Sequence, residues 1–226
     1  MLAPFIWGNT MFVGHYAAAL AAKAVAPKAP LWTYVLASQL IDVGWSALII
    51  TGAERVRGDP SLPGSALVLE HMPYTHSLPA ALLWAVAAGV LATGLLKLPR
   101  WTGVVVGLTV LSHWGLDFLV HRPDLALWFD GPKVGLGWWN YPVPEQALEM
   151  GLLAMTGAAW AWRRGTQGRS WWPAPLFLGL LLAVQEIALV SPPGGGATQL
   201  GLTALAVYLV VTLIARFIEP PLKPAA

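Results

Sequence analysis

No cysteine occurs among the 226 residues, which removes disulfides, thiolate metal sites and cysteine nucleophiles together. Charge is scarce as well: 11% of the residues are charged, against roughly a quarter in an average soluble domain. The pI near 9.0 therefore records a net charge of only +2 and not a basic surface. No run of Lys and Arg interleaves with aromatics, so nucleic acid is not an expected partner. The opening residues Met1-Leu2-Ala3-Pro4-Phe5 lack the positive stretch of a cleavable signal peptide, and the first hydrophobic segment reads as a retained span. Two enzyme signatures are missing too. The glycine-rich Gly131-Pro132-Lys133-Val134-Gly135-Leu136-Gly137 lacks the Gly-Lys-Ser/Thr ending of a P-loop, and no serine sits in a Gly-x-Ser-x-Gly elbow.

What is abundant is apolar surface. Hydrophobic residues make up 57% of the chain, too many to hide inside one globule of this length, so most must face lipid. A helix needs about 20 apolar residues to cross the hydrocarbon core. Seven segments qualify: 5–26, 31–52, 77–97, 101–122, 144–163, 173–193 and 197–218. The first is the weakest, carrying Lys23 and interrupted by Gly8, Asn9 and Thr10. The expectation is an all-α, polytopic membrane bundle forming a single domain over 1–226, with a motif-bearing core at about 11–150 and two further helices at about 173–218.

Numbering the loops alternately places Lys23, Lys28, Lys97, Arg100, Arg163, Arg164, Arg169, Arg216 and Lys223 on one side and Arg55, Arg57, Arg122 and Lys133 on the other. By the positive-inside rule the first side is cytoplasmic, which puts the N-terminus outside and the C-terminus inside. Trp32, Trp101, Trp128, Trp138, Trp139, Trp171 and Trp172 stand near span ends, as interfacial anchors do. The two long outer loops, about 53–75 and 123–143, are rich in Gly and Pro.

The five histidines concentrate the chemistry. His113, Asp117 and His121 are spaced i, i+4, i+8, which stacks three metal-ligand types on one helical face. In the same topology His15, Asp42 and His76 reach the same outward layer, and Glu145 with Glu149 open the fifth span. Ionisable groups inside a bilayer usually face a cavity, a partner or a metal, and this nitrogen-and-oxygen set suits Zn, Mn or Mg. Blander readings stand beside these. His15 alone could join two helices by a hydrogen bond, and Asp42 could bond a Ser or Thr in the packing. Glu145 and Glu149 fit a solvated first turn favoured by the helix dipole. His71 reads as a surface residue, and Ser77 as the N-cap of the third span.

Gly14-His15, Gln39-Leu40-Ile41-Asp42, His71-Met72-Pro73-Tyr74-Thr75-His76-Ser77 and Ser112-His113-Trp114-Gly115-Leu116-Asp117 occur in that order. This set resembles the bacterial family of membrane-bound metal-dependent hydrolases that includes a LexA-regulated inner-membrane protein. Over roughly residues 11–124 the family repeats a His near the N-terminus, an acid motif, a His-Arg-x-x-Thr-His-Ser segment and a Ser-His-x-x-x-Asp helix. Met72 stands where the family has Arg, and Asp42 is a single acid where the family often has two. A more distant similarity is to the zinc-dependent phospholipase C and single-strand nuclease superfamily, with Glu145 where a His would be expected.

The resemblance and the residues together imply a hydrolase of the bacterial inner membrane, acting at the outer face on a phosphoester or lipid-linked substrate. His15, Asp42, His76, His113 and Asp117 are the expected metal ligands, His121 or Glu149 the base or orienting group, and Arg122 and Lys133 the phosphate holders. The competing class is a non-enzymatic membrane subunit, scaffold or transporter, in which the polar layer packs a partner subunit or holds a structural metal.

Overall fold

A computed structural model of the chain describes residues 13–190 and 195–219. It is mostly helical, with 67% of residues in helices and little sheet. Among the described residues the helices are α1 (His15–Val25), α2 (Leu31–Ser38), α3 (Leu40–Thr51), α4 (Leu78–Gly94), α5 (Arg100–Val120), α6 (Pro142–Thr166), α7 (Pro173–Val190) and α8 (Ala197–Ile218). Proline sets where several begin. Pro142 and Pro173 are the first residues of α6 and α7, while Pro30 and Pro99 cap α2 and α5. A first helical turn has backbone N–H groups with no intrahelical acceptor, so proline loses nothing there. Ser77 caps α4 as the sequence indicates, its hydroxyl accepting from the Ala80 N–H at 3.3 Å.

α5, α7 and α8 are each long and apolar enough to cross a membrane, and α2 with α3 makes a fourth crossing if the bent pair counts as one. Side chains turn outward in the manner of lipid-facing helices: Val86 is 65% exposed, and Leu83, Val90, Leu108, Ile187 and Val210 are exposed as well. Such a continuous apolar exterior is foreign to soluble monomers. Inside lie Tyr16, Leu20, Tyr34, Trp160, Phe177 and Leu181 in one core.

α4 and α5 form a close hairpin. A Cβ built on Gly89 would meet the Gly103 oxygen at 2.9 Å, and one on Gly107 the Ala85 oxygen at 2.9 Å. Small residues let the backbones approach where lipid offers no hydrophobic drive to associate. α1 packs on α6, α6 on α7, and both α2 and α3 on α8.

Two expected spans differ, and the first span, 5–26, lies in part outside the described residues. Segment 31–52 is not a straight helix: α2 and α3 meet at a bend of 50° around Gln39. No Pro or Gly marks the break, and the Ser38 carbonyl and the Asp42 carboxylate on either side of it are engaged by α5, α8 and the segment before α4. The fourth span also stops at Val120, leaving His121 in extended backbone just past the helix.

Two small hairpins cover the histidine-bearing end. β1 (Arg55–Gly58) pairs antiparallel with β2 (Leu67–His71), and β3 (Leu125–Ala126) with β4 (Lys133–Val134). Arg122 fastens these loops: its guanidinium donates to Asn140 Oδ1 at 2.8 Å, to the Ser65 oxygen at 3.0 Å and to the Pro63 oxygen. Gly64 is required beneath it, because φ is +65° and a Cβ would strike the Trp139 carbonyl oxygen.

Candidate metal centre

Four chain segments bring their polar residues to one point. His15 is the first residue of α1, Asp42 lies in the first turn of α3, His76 directly precedes the Ser77 cap of α4, and His113 and Asp117 share a face of α5. His15, His76, His113 and Asp117 are buried. Asp42 is the most open of the set, with 15% of its side chain exposed.

The ring nitrogens point at the two carboxylates. His76 Nε2 is 3.3 Å from Asp42 Oδ1 and 3.6 Å from Asp117 Oδ2. His113 Nε2 is 3.3 Å from Asp42 Oδ1 and 3.4 Å from Asp117 Oδ2. His15 Nε2 is 3.1 Å from Asp117 Oδ1, with its ring 3.8 Å from that of His113. His15, Asp42 and His113 form one group whose ligand atoms all lie within 4.8 Å of one another, and His76, His113 and Asp117 form a second. The two groups share His113, and either can hold a metal ion.

Second partners fix the rings. His113 Nδ1 lies 2.8 Å from the Ser38 carbonyl oxygen, which can only accept, so Nδ1 carries the hydrogen and Nε2 presents its other face inward. The break after α2 supplies that carbonyl. His76 Nδ1 meets Thr75 Oγ1 at 2.9 Å. The Thr75 hydroxyl has a single hydrogen and donates it to Glu54 Oε2 at 2.6 Å, so it accepts from His76. Glu54 Oε1 in turn accepts from the Tyr74 and Thr75 N–H groups at 2.9 and 3.0 Å. His121 Nδ1 is 3.1 Å from Asp124 Oδ1, and Asp124 Oδ2 holds the Leu69 N–H at 3.0 Å. Orientation of one ring nitrogen by a carbonyl or carboxylate, with the other turned inward, is the arrangement that surrounds bound metals.

This geometry has an electrostatic consequence. With Nδ1 protonated, a neutral imidazole aims the Nε2 lone pair of His76 or His113 at carboxylate oxygens, which repels. His113 Nε2 and Asp117 Oδ2 are buried and make no hydrogen bond. A proton or a cation must therefore lie among these atoms, the proton on a ring or a carboxylate, the cation between them. The separations of 3.3–3.6 Å match the spacing, about 3.3–3.6 Å, of donors arranged tetrahedrally at about 2.0–2.2 Å around one ion. The donor set fits a divalent metal bound by nitrogen and oxygen.

The other sequence candidates sit around this point. His121 Nε2 is 3.6 Å from Asp117 Oδ1, and its ring lies 3.9 Å from that of Trp139, at the rim between cluster and loops. Glu149 is buried and not solvated; it takes a backbone hydrogen bond from Gly14 and pairs with Glu145. Its ligand atoms are outside the two convergent groups. The Arg122 guanidinium is engaged by loop carbonyls, and partial burial lowers its pKa from the ordinary arginine value. Lys133 lies on β4 opposite Ala126, and no ion pair joins it to the cluster. His71, on β2, is half-buried, with Nδ1 2.7 Å from Asp130.

Three contributors carried no sequence signal strong enough to name them. Glu54 reads as one more loop acid, and Asp124 as part of a turn. Tyr208, whose hydroxyl donates to Asp42 Oδ2 at 2.8 Å, joins the site from α8 and reads as ordinary packing in an apolar span. The chain matches no protein-family model, no curated protein and no solved structure.

Proposed function

We propose that this chain is a multi-pass inner-membrane protein that holds one or two divalent cations in the histidine–aspartate centre and hydrolyses a phosphoester of a lipid or lipid-linked substrate at the outer face. The observation that carries the reading is the pair of inward Nε2 atoms, on His76 and His113, aimed at two carboxylates while both Nδ1 atoms are committed elsewhere. His15, Asp42, His76, His113 and Asp117 would hold the metal, and His121, tied to Asp124, would orient or exchange a proton at the rim. A divalent ion so placed polarises a phosphoryl oxygen and makes water a competent nucleophile near neutral pH. The resemblance to membrane-bound metal-dependent hydrolases supports the same chemistry, and zinc is the metal we favour.

The seven-span topology belongs to this reading. α4 and α6, with the exposed Leu83, Val86, Met155 and Trp162, would add crossings to those of α2 with α3, α5, α7 and α8, and α1 would complete them. Single cysteines in this cysteine-free chain test the orientation: a label at Gly131 is expected from the periplasmic side and one at Gly168 from the cytoplasmic side. The reverse pattern sinks the outer-face assignment.

Burial favours a second reading, in which the metal is structural and ties α1, α3, α4 and α5 together. The two separate by experiment. Protein purified without chelator is expected to contain a divalent metal that His113→Ala and Asp117→Ala remove, and to cleave members of a lipid phosphoester panel with activity lost to chelator and restored by Zn or Mn. Metal-free protein with unaltered folding rejects both readings. Bound metal, a fall in Tm on chelation and no hydrolysis leave the structural one.

A further inference from the structure

The opposite ends of α1, α5 and α6 enclose a second feature, remote from the histidines. A cavity of about 540 Å³ is lined by Lys28, Arg163, Arg169, Gln167, Thr102 and Trp101, among others, and no acid lines it. Among the described residues the one carboxylate paired with these cations, Glu219, is buried and already shared: Lys23 Nζ is 2.8 Å from its Oε2, and Arg164 and Arg169 both meet its Oε1, Arg169 at 3.3 Å. Against that one acid stand Lys23, Arg164 and Arg169, with Lys28 and Arg163 added at the cavity wall. Among the described residues neither Lys28 nor Arg163 has an ion-pair partner, and Arg163 Nε is buried without a hydrogen bond. The 21-residue α5 begins at this wall with no side-chain cap on its first-turn N–H groups, so its positive dipole end adds to the field. The same cavity is bordered by the exposed apolar Val25 and Trp101.

We propose that this cavity binds the phosphate of an anionic membrane lipid, with Lys28 and Arg163 as its charged contacts and Trp101 at the interface. An excess of cations concentrated around a cavity that no acid lines among the described residues calls for an anion. The apolar border selects a lipid over a soluble phosphate, since a free anion gains nothing from Val25 and Trp101. Basic pockets between membrane helices take lipid headgroups by this combination. The inference rests on the membrane reading of the helices and is independent of the metal centre, whose occupancy serves as an internal control.

The test uses the full chain, metal-loaded, in uncharged detergent. It is titrated with phosphatidylglycerol, with phosphatidylcholine of the same acyl chains, and with inorganic phosphate, and followed by Tm and by native mass spectrometry. Phosphatidylglycerol is expected to raise Tm and to remain as a bound adduct, and both effects should weaken as salt rises. Lys28→Ala and Arg163→Ala should each reduce its affinity about fivefold and together about thirtyfold, with metal content unchanged; Arg163→Lys should retain most of it. Equal stabilisation by phosphatidylcholine, salt-independent binding, or a folded double variant with undiminished affinity overturns the proposal. Displacement of phosphatidylglycerol by equimolar inorganic phosphate overturns the lipid assignment in favour of a soluble anion. If the double variant does not fold, the salt dependence of the unmodified protein decides.

Discussion

The two ends of the bundle each bury charged groups, but they satisfy them in opposite ways. Around Glu219 the contacts are short and mutual. Lys23 bonds Glu219 at 2.8 Å and also the Pro27 and Ala29 carbonyls at 2.9 and 2.6 Å, and Arg164 adds the Ser170 carbonyl at 2.5 Å. Lys23, Arg164 and Arg169 have each found an acceptor. Around Asp117 and Asp42 the imidazole nitrogens stand 3.1–3.6 Å from the carboxylate oxygens, while the rings of His113, His76 and His121 direct their shorter hydrogen bonds outward to Ser38, Thr75 and Asp124. A closed ion-pair network and an open ligand cradle can thus look alike in a count of buried charges. The direction of the hydrogen bonds tells them apart.

The largest effect is expected where the network is closed. Glu219→Ala strands Lys23 and Arg164 without their anion in a buried site, and should lower unfolding stability by about 3–5 kcal/mol, as measured by denaturation in detergent, while leaving metal content at the other end intact. A loss below about 1 kcal/mol would put the pairs in the class of exposed ones and blur the comparison. At the open end, a change one step removed from the ligands should act on metal and hardly on folding. Thr75→Val deletes the hydroxyl that links His76 to Glu54 and should weaken metal affinity about 10–100-fold, read by competition with a chelator. Unchanged affinity would mean that the His76 ring needs no orientation, and so that no metal relies on it.

The smallest effect is expected at the surface. The Ser61 hydroxyl and N–H, with Arg57, hold the exposed Asp59 carboxyl below the usual aspartate range. A pKa lower in the folded than in the unfolded chain gives stability above the unfolded value, lost as pH falls through the folded one. Asp59→Asn should therefore flatten the acid limb of the stability profile slightly and leave neutral pH behaviour alone. A large shift at neutral pH would show that the loop is coupled to the cluster it covers.

The chemistry was legible in the sequence where one helix carries it. His113 and Asp117 are four apart and must share a face, and Ser77 before Leu78-Pro79 must open a helix. Three of the expected spans, those at α5, α7 and α8, likewise follow from long apolar runs, and a fourth does if the bent α2–α3 pair counts as one. The groups that orient the rings were not legible, because they act across sequence distance: Glu54 reaches Thr75, and Asp124 reaches back to both His121 and Leu69. Lys23 looked like a defect in the first span. It is a fastener whose partner, Glu219, stands at the far end of the chain. Glu145 and Glu149 read as a solvated first turn because the dipole argument is local, and the burial that contradicts it comes from α1 packing across them.

The break at Gln39 bears on how the protein is assembled. In an unbroken helix the Ser38 carbonyl would be consumed by the N–H of Asp42, four residues on. Released among apolar helices it is costly until something donates to it, and the donor here is His113 of α5, later in the chain. Inserted alone, segment 31–51 is then expected to lie straight, as oriented circular dichroism of that peptide in lipid bilayers would show, and a bent peptide would refute this. The bend, the freed carbonyl and the exposure of Asp42 at the start of a new helix are then a product of the two segments meeting. On that outcome the centre would have no half-built form and would come into being when the α4–α5 hairpin docks.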